Sequence, residues 1–199
     1  DLGCYGADAE VSPNLDRLAC EGLRFTRAYS NSPVCSPARF AMITGRWQYR
    51  LRGALDEPLA RRGGVLGLPP EHPTLPSLLR AGGYDTALVG KWHLGGPPNF
   101  GPLLSGYAEH FGPLGGAVDY FSHLGPDGAH DLWDGGREVH AHGYLTDLIS
   151  DRAVEYVSRE RGGRPFFLSV HYTSPHWPWE TRDDAAESAR IGAAIAHLD

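Results

Sequence analysis

Four consecutive residues, Thr86-Ala87-Leu88-Val89 in the stretch YDTALVG (84–90), constrain the fold more than any other feature. A strand with one face in water alternates apolar and polar side chains. This run does not, so both of its faces must be covered. Phe166-Phe167-Leu168-Ser169-Val170 reads as a second buried strand. Covering a sheet on both faces takes helices, and helix signals precede each run. Leu75, Leu78 and Leu79 form an apolar face stopped by Gly82-Gly83, and Leu145, Leu148, Ile149, Ala153, Tyr156 and Val157 form a longer one. Upstream, Ser12 is placed to cap a helix that starts with Pro13 and ends at Gly22, with Leu15, Leu18 and Ala19 as its apolar face. Leu23 and Phe25 alternate with Arg24 and Thr26, a short strand signal, and a further helix is expected from Ser36 to Thr44. Residues 96–144, rich in Gly, Pro and His with no sustained period, read as a long excursion with short elements. The fold class is α/β, a mixed but largely parallel sheet flanked by helices.

The 199 residues are enough for one core, and a net charge of -6 with scattered Lys and Arg argues against a nucleic-acid surface. No apolar run approaches the roughly 18 residues of a membrane span. The chain opens on Asp1 and its single methionine is Met42, so it reads as an internal stretch of a longer protein and its compartment stays unassigned. Three cysteines, Cys4, Cys20 and Cys35, cannot all pair within the chain, and their spacing suits no zinc knuckle or ribbon.

In α/β sheets, ligands bind beyond the carboxyl ends of the strands. The first apolar run ends in GKWHLG (90–95), where Lys91 and His93, two apart, point the same way if the chain stays extended. The second ends in HYTSPHWPW (171–179), a proline-stiffened loop carrying His176. If the strands are parallel, Lys91, His93 and His176 meet on one rim. A fourth part comes from SNSPVCSPARFAMITGR (30–46): Cys35 at a helix start, with Arg39 one turn on. Free N–H groups, the helix dipole and a guanidinium make an anion site there, and a helix N-terminus favours a thiolate.

CSPARFAMITGR (35–46) resembles the first signature of the sulfatase family, GKWHLG its second, and SPHWPW its later histidine loop. DLGCYG with SPNLDRLACEGLRFTRAYS is similar to the segment upstream of the family's cysteine, so the matches run in family order from residue 1 to about 179. The resemblance implies an alkaline-phosphatase-like fold and a formylglycine-dependent sulfuric ester hydrolase of the arylsulfatase kind. It implies that a formylglycine-generating enzyme oxidises Cys35 after reading Cys-x-Pro-x-Arg on the unfolded chain, and that the resulting diol attacks sulfate. By the same resemblance Arg39 holds the modified residue, Lys91 binds sulfate and supports the leaving side, His93 takes the diol proton, and His176 assists protonation of the leaving oxygen. A calcium ion would bind the modified Cys35 and the sulfate of a small molecule or glycan. Its Asp and Asn ligands have no counterpart in these residues. Asp1 aligns after the first ligand pair, and IGAAIAHLD (191–199) resembles the helix before the second. Residues 1–199 therefore read as a catalytic domain incomplete at both ends, expected to hold metal poorly and not to turn over alone. Ser122 and His123 are weaker candidates for the pocket, and His140, His142 and His171 receive only surface or packing roles. Alternatives are a phosphonate or phosphate monoester hydrolase of the same superfamily, and a non-catalytic sulfate- or glycan-binding remnant.

Overall fold

The computed structural model describes residues 2–8, 11–51, 59 and 66–196. They form two units, divided after Ser30. In the first, a 3-10 turn (Gly3–Tyr5) precedes helix α1 (Pro13–Glu21). Ser12 occupies the cap position, but its hydroxyl makes no cap hydrogen bond. It accepts the Gly3 N–H (2.9 Å) and donates to the Asp16 carboxylate (3.1 Å) instead. The expected strand at Leu23 and Phe25 does not form, and both side chains are exposed. A strand needs a ladder partner. Here the local backbone bonds to side chains, with the Tyr5 hydroxyl donating to the Phe25 carbonyl (2.8 Å).

The second unit carries a five-stranded sheet in the order β4-β3-β2-β1-β5. Its strands are β1 (Asp85–Gly90), β2 (Glu109–Gly112), β3 (Trp133–Asp134), β4 (Arg137–Glu138) and β5 (Phe166–His171). β1 lies parallel to both β2 and β5, while β2-β3 and β3-β4 are antiparallel. The fold class expected from the sequence is the one observed. Leu88 joins Phe40, Ile43, Trp92 and Tyr107 on one face, and Val89 joins Phe111, Leu132, Leu145 and Ile149 on the other. Successive β1 residues thus anchor two cores. Helix α2 (Cys35–Thr44) supplies the first, and α4 (Leu145–Val157) the second. α3 (Leu75–Ala81) packs on β1, behind a capping box of Thr74 and Ser77. α5 spans Ala185–Ala196. β5 departs from the expectation of full burial: Phe166 and Val170 are exposed, because among the described residues nothing pairs with its outer edge.

α2 has no side-chain cap at its N-terminus. That omission costs about 1 kcal/mol. Burying Phe40 and Ile43 contributes roughly 1.5–3 kcal/mol each, so packing holds the helix and its first amides need no internal partner.

Glycines end the two central strands. Gly90 has φ 114°, and a Cβ there would stand 2.0 Å from the His171 carbonyl oxygen; Gly112 (φ 141°) packs in the same way on Gly90. Gly90→Ala is expected to destabilise the protein by about 3 kcal/mol or more. The check is a urea titration, and an unchanged midpoint would show that the β1-β5 contact is looser than described.

Candidate active site

Cys35 is the first residue of α2, partly buried, after extended Val34 (φ -99°, ψ 142°). The loop before it is tied down by Asn31, whose amide donates to Gln48 Oε1 (2.5 Å), and by the Val34 N–H on Ser32 Oγ (3.1 Å). Ser36 and Pro37 are buried, and Ser36 Oγ accepts the Leu59 N–H (2.9 Å). This turn offers Cys35 and the helix dipole toward the sheet's carboxyl rim.

Arg39 lies one turn along. Its Nη1 donates to the Lys91 carbonyl (2.7 Å) and to His171 Nδ1 (2.9 Å). A guanidinium only donates, so His171 Nδ1 must be the bare nitrogen and the ring neutral. The 3.2 Å approach of the same Nδ1 to the Lys91 carbonyl then sets two acceptors side by side, bridged by the two hydrogens of Nη1. Burial, then the charge of Arg39, pushes the His171 pKa down to about 4, in keeping with the neutral ring.

Lys91 follows Gly90, whose register partner is His171, and its N–H extends the ladder to the His171 carbonyl (2.8 Å). The residue is 3% exposed. Burial lowers its pKa to about 8, with Cys35 opposing the shift and Arg39 adding to it. At pH 7 the ammonium is therefore still protonated. The chain does not stay extended beyond it. Trp92 and His93 donate to the Pro113 and Leu114 carbonyls (3.0 Å each), and His93 then turns left-handed at φ 61°. The two-residue alternation thus fails to orient His93, and the hydrogen bonds beyond β2 set its direction. His93 Nε2 lies 3.1 Å from the Leu59 carbonyl, which can only accept, so Nε2 carries the hydrogen and Nδ1 is bare. That Nδ1 is buried without a hydrogen-bond partner among the described residues. Gly116 backs the ring so closely that a Cβ would touch it. Burial first, then the charge of Lys91, lowers the His93 pKa to about 4; Arg39 and His176 act in the same direction.

His176 is exposed on the loop after β5. Its N–H bonds the Thr173 carbonyl (2.8 Å), its Nδ1 donates to the Trp177 carbonyl (2.7 Å), and its own carbonyl accepts from the Tyr120 hydroxyl (2.9 Å). The structure brings the five sequence candidates into one electrostatic neighbourhood: Cys35 acts on Arg39 and Lys91, and Lys91, Arg39 and His176 act on His93. Two cations, a helix N-terminus and neutral imidazoles around a cysteine can bind an oxyanion and move protons beside it. Arg39 and His171 also border a cavity of about 250 Å³ whose other walls include Met42, Ile43, Leu75 and Trp92.

Ser122 lines a cavity with Trp177 and Pro178, the two residues that follow His176. Ser122 bonds Asp119, and the charges acting on His123 are those of His130, Asp119 and His142. Sequence reasoning passed over His171, giving it at most a packing role. The rule that drew attention to Lys91 applies equally to the last residue of β5.

A family model described as Sulfatase matches residues 1–195. The chain is similar to N-acetylglucosamine-6-O-sulfatase of Bacteroides thetaiotaomicron, 31% identical over 89% of this chain and 28% of that protein. It is also similar to human N-acetylgalactosamine-6-sulfatase, 33% identical over 100% of this chain and 42% of that one. Among solved structures, Ps i-CgsB in complex with k-i-k-neocarrahexaose superposes with a TM-score of 0.80 at 32% identity, over 95% of this chain and 45% of that chain. The chain thus spans less than half the length of each.

Proposed function

That the chain belongs to the sulfatase family is the premise from which we propose that its site hydrolyses a sulfate monoester, with residue 35 as nucleophile and a sulfated sugar as substrate. The observation that carries the reading is the convergence of Cys35, at the start of α2, with Arg39, Lys91 and neutral His93. The sugar follows from the names of the two relatives above, both sulfatases of an amino sugar. Nothing in them favours phosphonate or a binding-only role.

Oxidation of Cys35 to formylglycine would supply, on hydration, an oxygen nucleophile in place of sulfur. The geometry supports early oxidation: Pro37 is buried and Arg39 is held by Lys91 and His171, which favours reading of this stretch by a formylglycine-generating enzyme before folding. In the folded site Arg39, fixed at Nη1, orients residue 35 and faces the anion with a planar fork. Lys91 is a cation at pH 7, and a bound sulfate would raise its pKa further. A charge pair about 4 Å apart is worth roughly 4 kcal/mol at an effective dielectric near 20, enough to stabilise charge on the departing oxygen. His93, with Nδ1 bare, takes a proton from residue 35. His176, its Nδ1–H committed to Trp177, donates from Nε2 in its doubly protonated form and is left neutral when the leaving group takes that proton.

Calcium, implied by the sequence resemblance, takes oxygen ligands. Among the described residues the only group of three or more convergent His, Cys, Asp or Glu side chains is His130, Glu138 and His140, and Cys35 is not in it. These residues do not fit a calcium site at Cys35, so its oxygen donors would have to come from outside them.

The test is mass spectrometry of the peptide Ala28–Arg39 from protein co-expressed with a formylglycine-generating enzyme. Replacement of the Cys35 CH2–SH by CH=O is expected. An intact thiol, in cells that convert a control substrate, would remove the nucleophile and with it the proposed reaction.

A further inference from the structure

We propose that His130, Glu138 and His140 form a binding site for a divalent transition metal, zinc in the first instance. Their ligand atoms all lie within 4.8 Å of one another. The three come from two pieces of chain that the sheet brings together. His130 pairs with Leu124 in an isolated bridge that closes a turn at Gly125–Gly128. Glu138 is on β4, and His140 stands two residues beyond it, the spacing that puts two side chains on one face of extended chain.

The geometry is already close to a chelate. His130 Nδ1 and Glu138 Oε1 are 3.0 Å apart, and the His130 and His140 rings lie 4.1 Å apart at 33°. Zinc with ligands near 2.0–2.1 Å in a tetrahedron needs donor atoms about 3.4 Å apart. His140 is exposed, so it can close the remaining ångström or so by turning its own side chain. His130 is better fixed, with 13% of its side chain exposed and the ring of His123 edge-on at 6.0 Å. The ion would replace the hydrogen shared by His130 and Glu138.

The donor set selects the metal. Two imidazole nitrogens and one carboxylate suit zinc, nickel or copper and are poor for calcium or magnesium. Three protein ligands leave a fourth position for water. The ion would tie His130, which closes the preceding turn with Leu124, to Glu138 and His140 at the end of the β3-β4 hairpin, reinforcing the His130–Glu138 contact already there. The ordinary alternative is an ion pair with an imidazole resting on it.

The experiment titrates zinc alone into the protein, in competition with a chromophoric chelator, and follows the melting temperature in parallel. One equivalent held at about 1 μM or tighter, with a raised melting temperature, is expected. His140→Ala and Glu138→Gln, both at exposed positions, should each weaken binding about ten-fold or more. His142→Ala, at a neighbouring histidine outside the group, should leave it unchanged. Wild-type binding weaker than about 100 μM, or equal affinity in Glu138→Gln, His140→Ala and wild type, would overturn the site.

Discussion

Cys35→Ala is expected to reduce hydrolysis of an aryl sulfate to background, a loss of about 10⁴-fold or more in kcat. The size follows from what remains. Removing the nucleophile leaves Arg39 and Lys91 able to bind the anion but nothing to attack it. Ser36 cannot replace its neighbour, because it is fully buried and its oxygen is engaged by the Leu59 amide. Any other hydroxyl would have to approach the same helix N-terminus, and Pro37 and Phe40 beside it carry none. Substrate affinity should fall far less than turnover, since the cations stay. The measurement is kcat and KM on a chromogenic sulfate ester, made with a protein that carries the calcium ligands as well as these residues, and with a melting curve to show that the variant is folded. Retention of more than a tenth of wild-type kcat would mean that residue 35 is not the nucleophile.

Much of this site could be read before folding, because its residues sit in short, dense stretches. Cys35 and Arg39 share one helical turn, and Lys91 and His93 close one apolar run. What could not be read depends on register. His171 matters because Gly90 pairs with it across β1 and β5, which sets its ring against Arg39. No local pattern in FFLSVH reveals that pairing. Gly116 supports His93 from a segment with no periodic signal at all. The orientation of His93 was misjudged for a related reason, since hydrogen bonds to residues 113 and 114 turn the chain where alternation assumed it straight. In the fold, β1 was legible from its unbroken apolar run. β2 was not, being four residues long and ending in a glycine whose φ of 141° is set by contact with Gly90. Leu23 and Phe25 show the opposite failure. Alternation is necessary for a strand but supplies no partner, and Phe25 gives its carbonyl to Tyr5.

Lys91 allows function and stability to be separated. Lys91→Met keeps the length of the side chain and removes the charge. Turnover is expected to fall about 10²–10³-fold, the usual cost of losing one preorganised group aimed at developing charge. Stability should move the other way. The largest influence on the Lys91 pKa is burial, which penalises the ammonium, and Arg39 adds repulsion while only Cys35 offsets them. Methionine at a position 3% exposed avoids that penalty and fills the same space, so the melting temperature should hold or rise. A residue kept for packing would behave in reverse, with lost stability and retained activity. Lys91→Arg provides the intermediate test: charge is preserved, but a planar fork in a space shaped for a slender ammonium should recover only part of kcat. If Lys91→Met instead melts early and turns over normally, Lys91 is a structural residue, and the anion at the start of α2 is held by Arg39 and the helix alone.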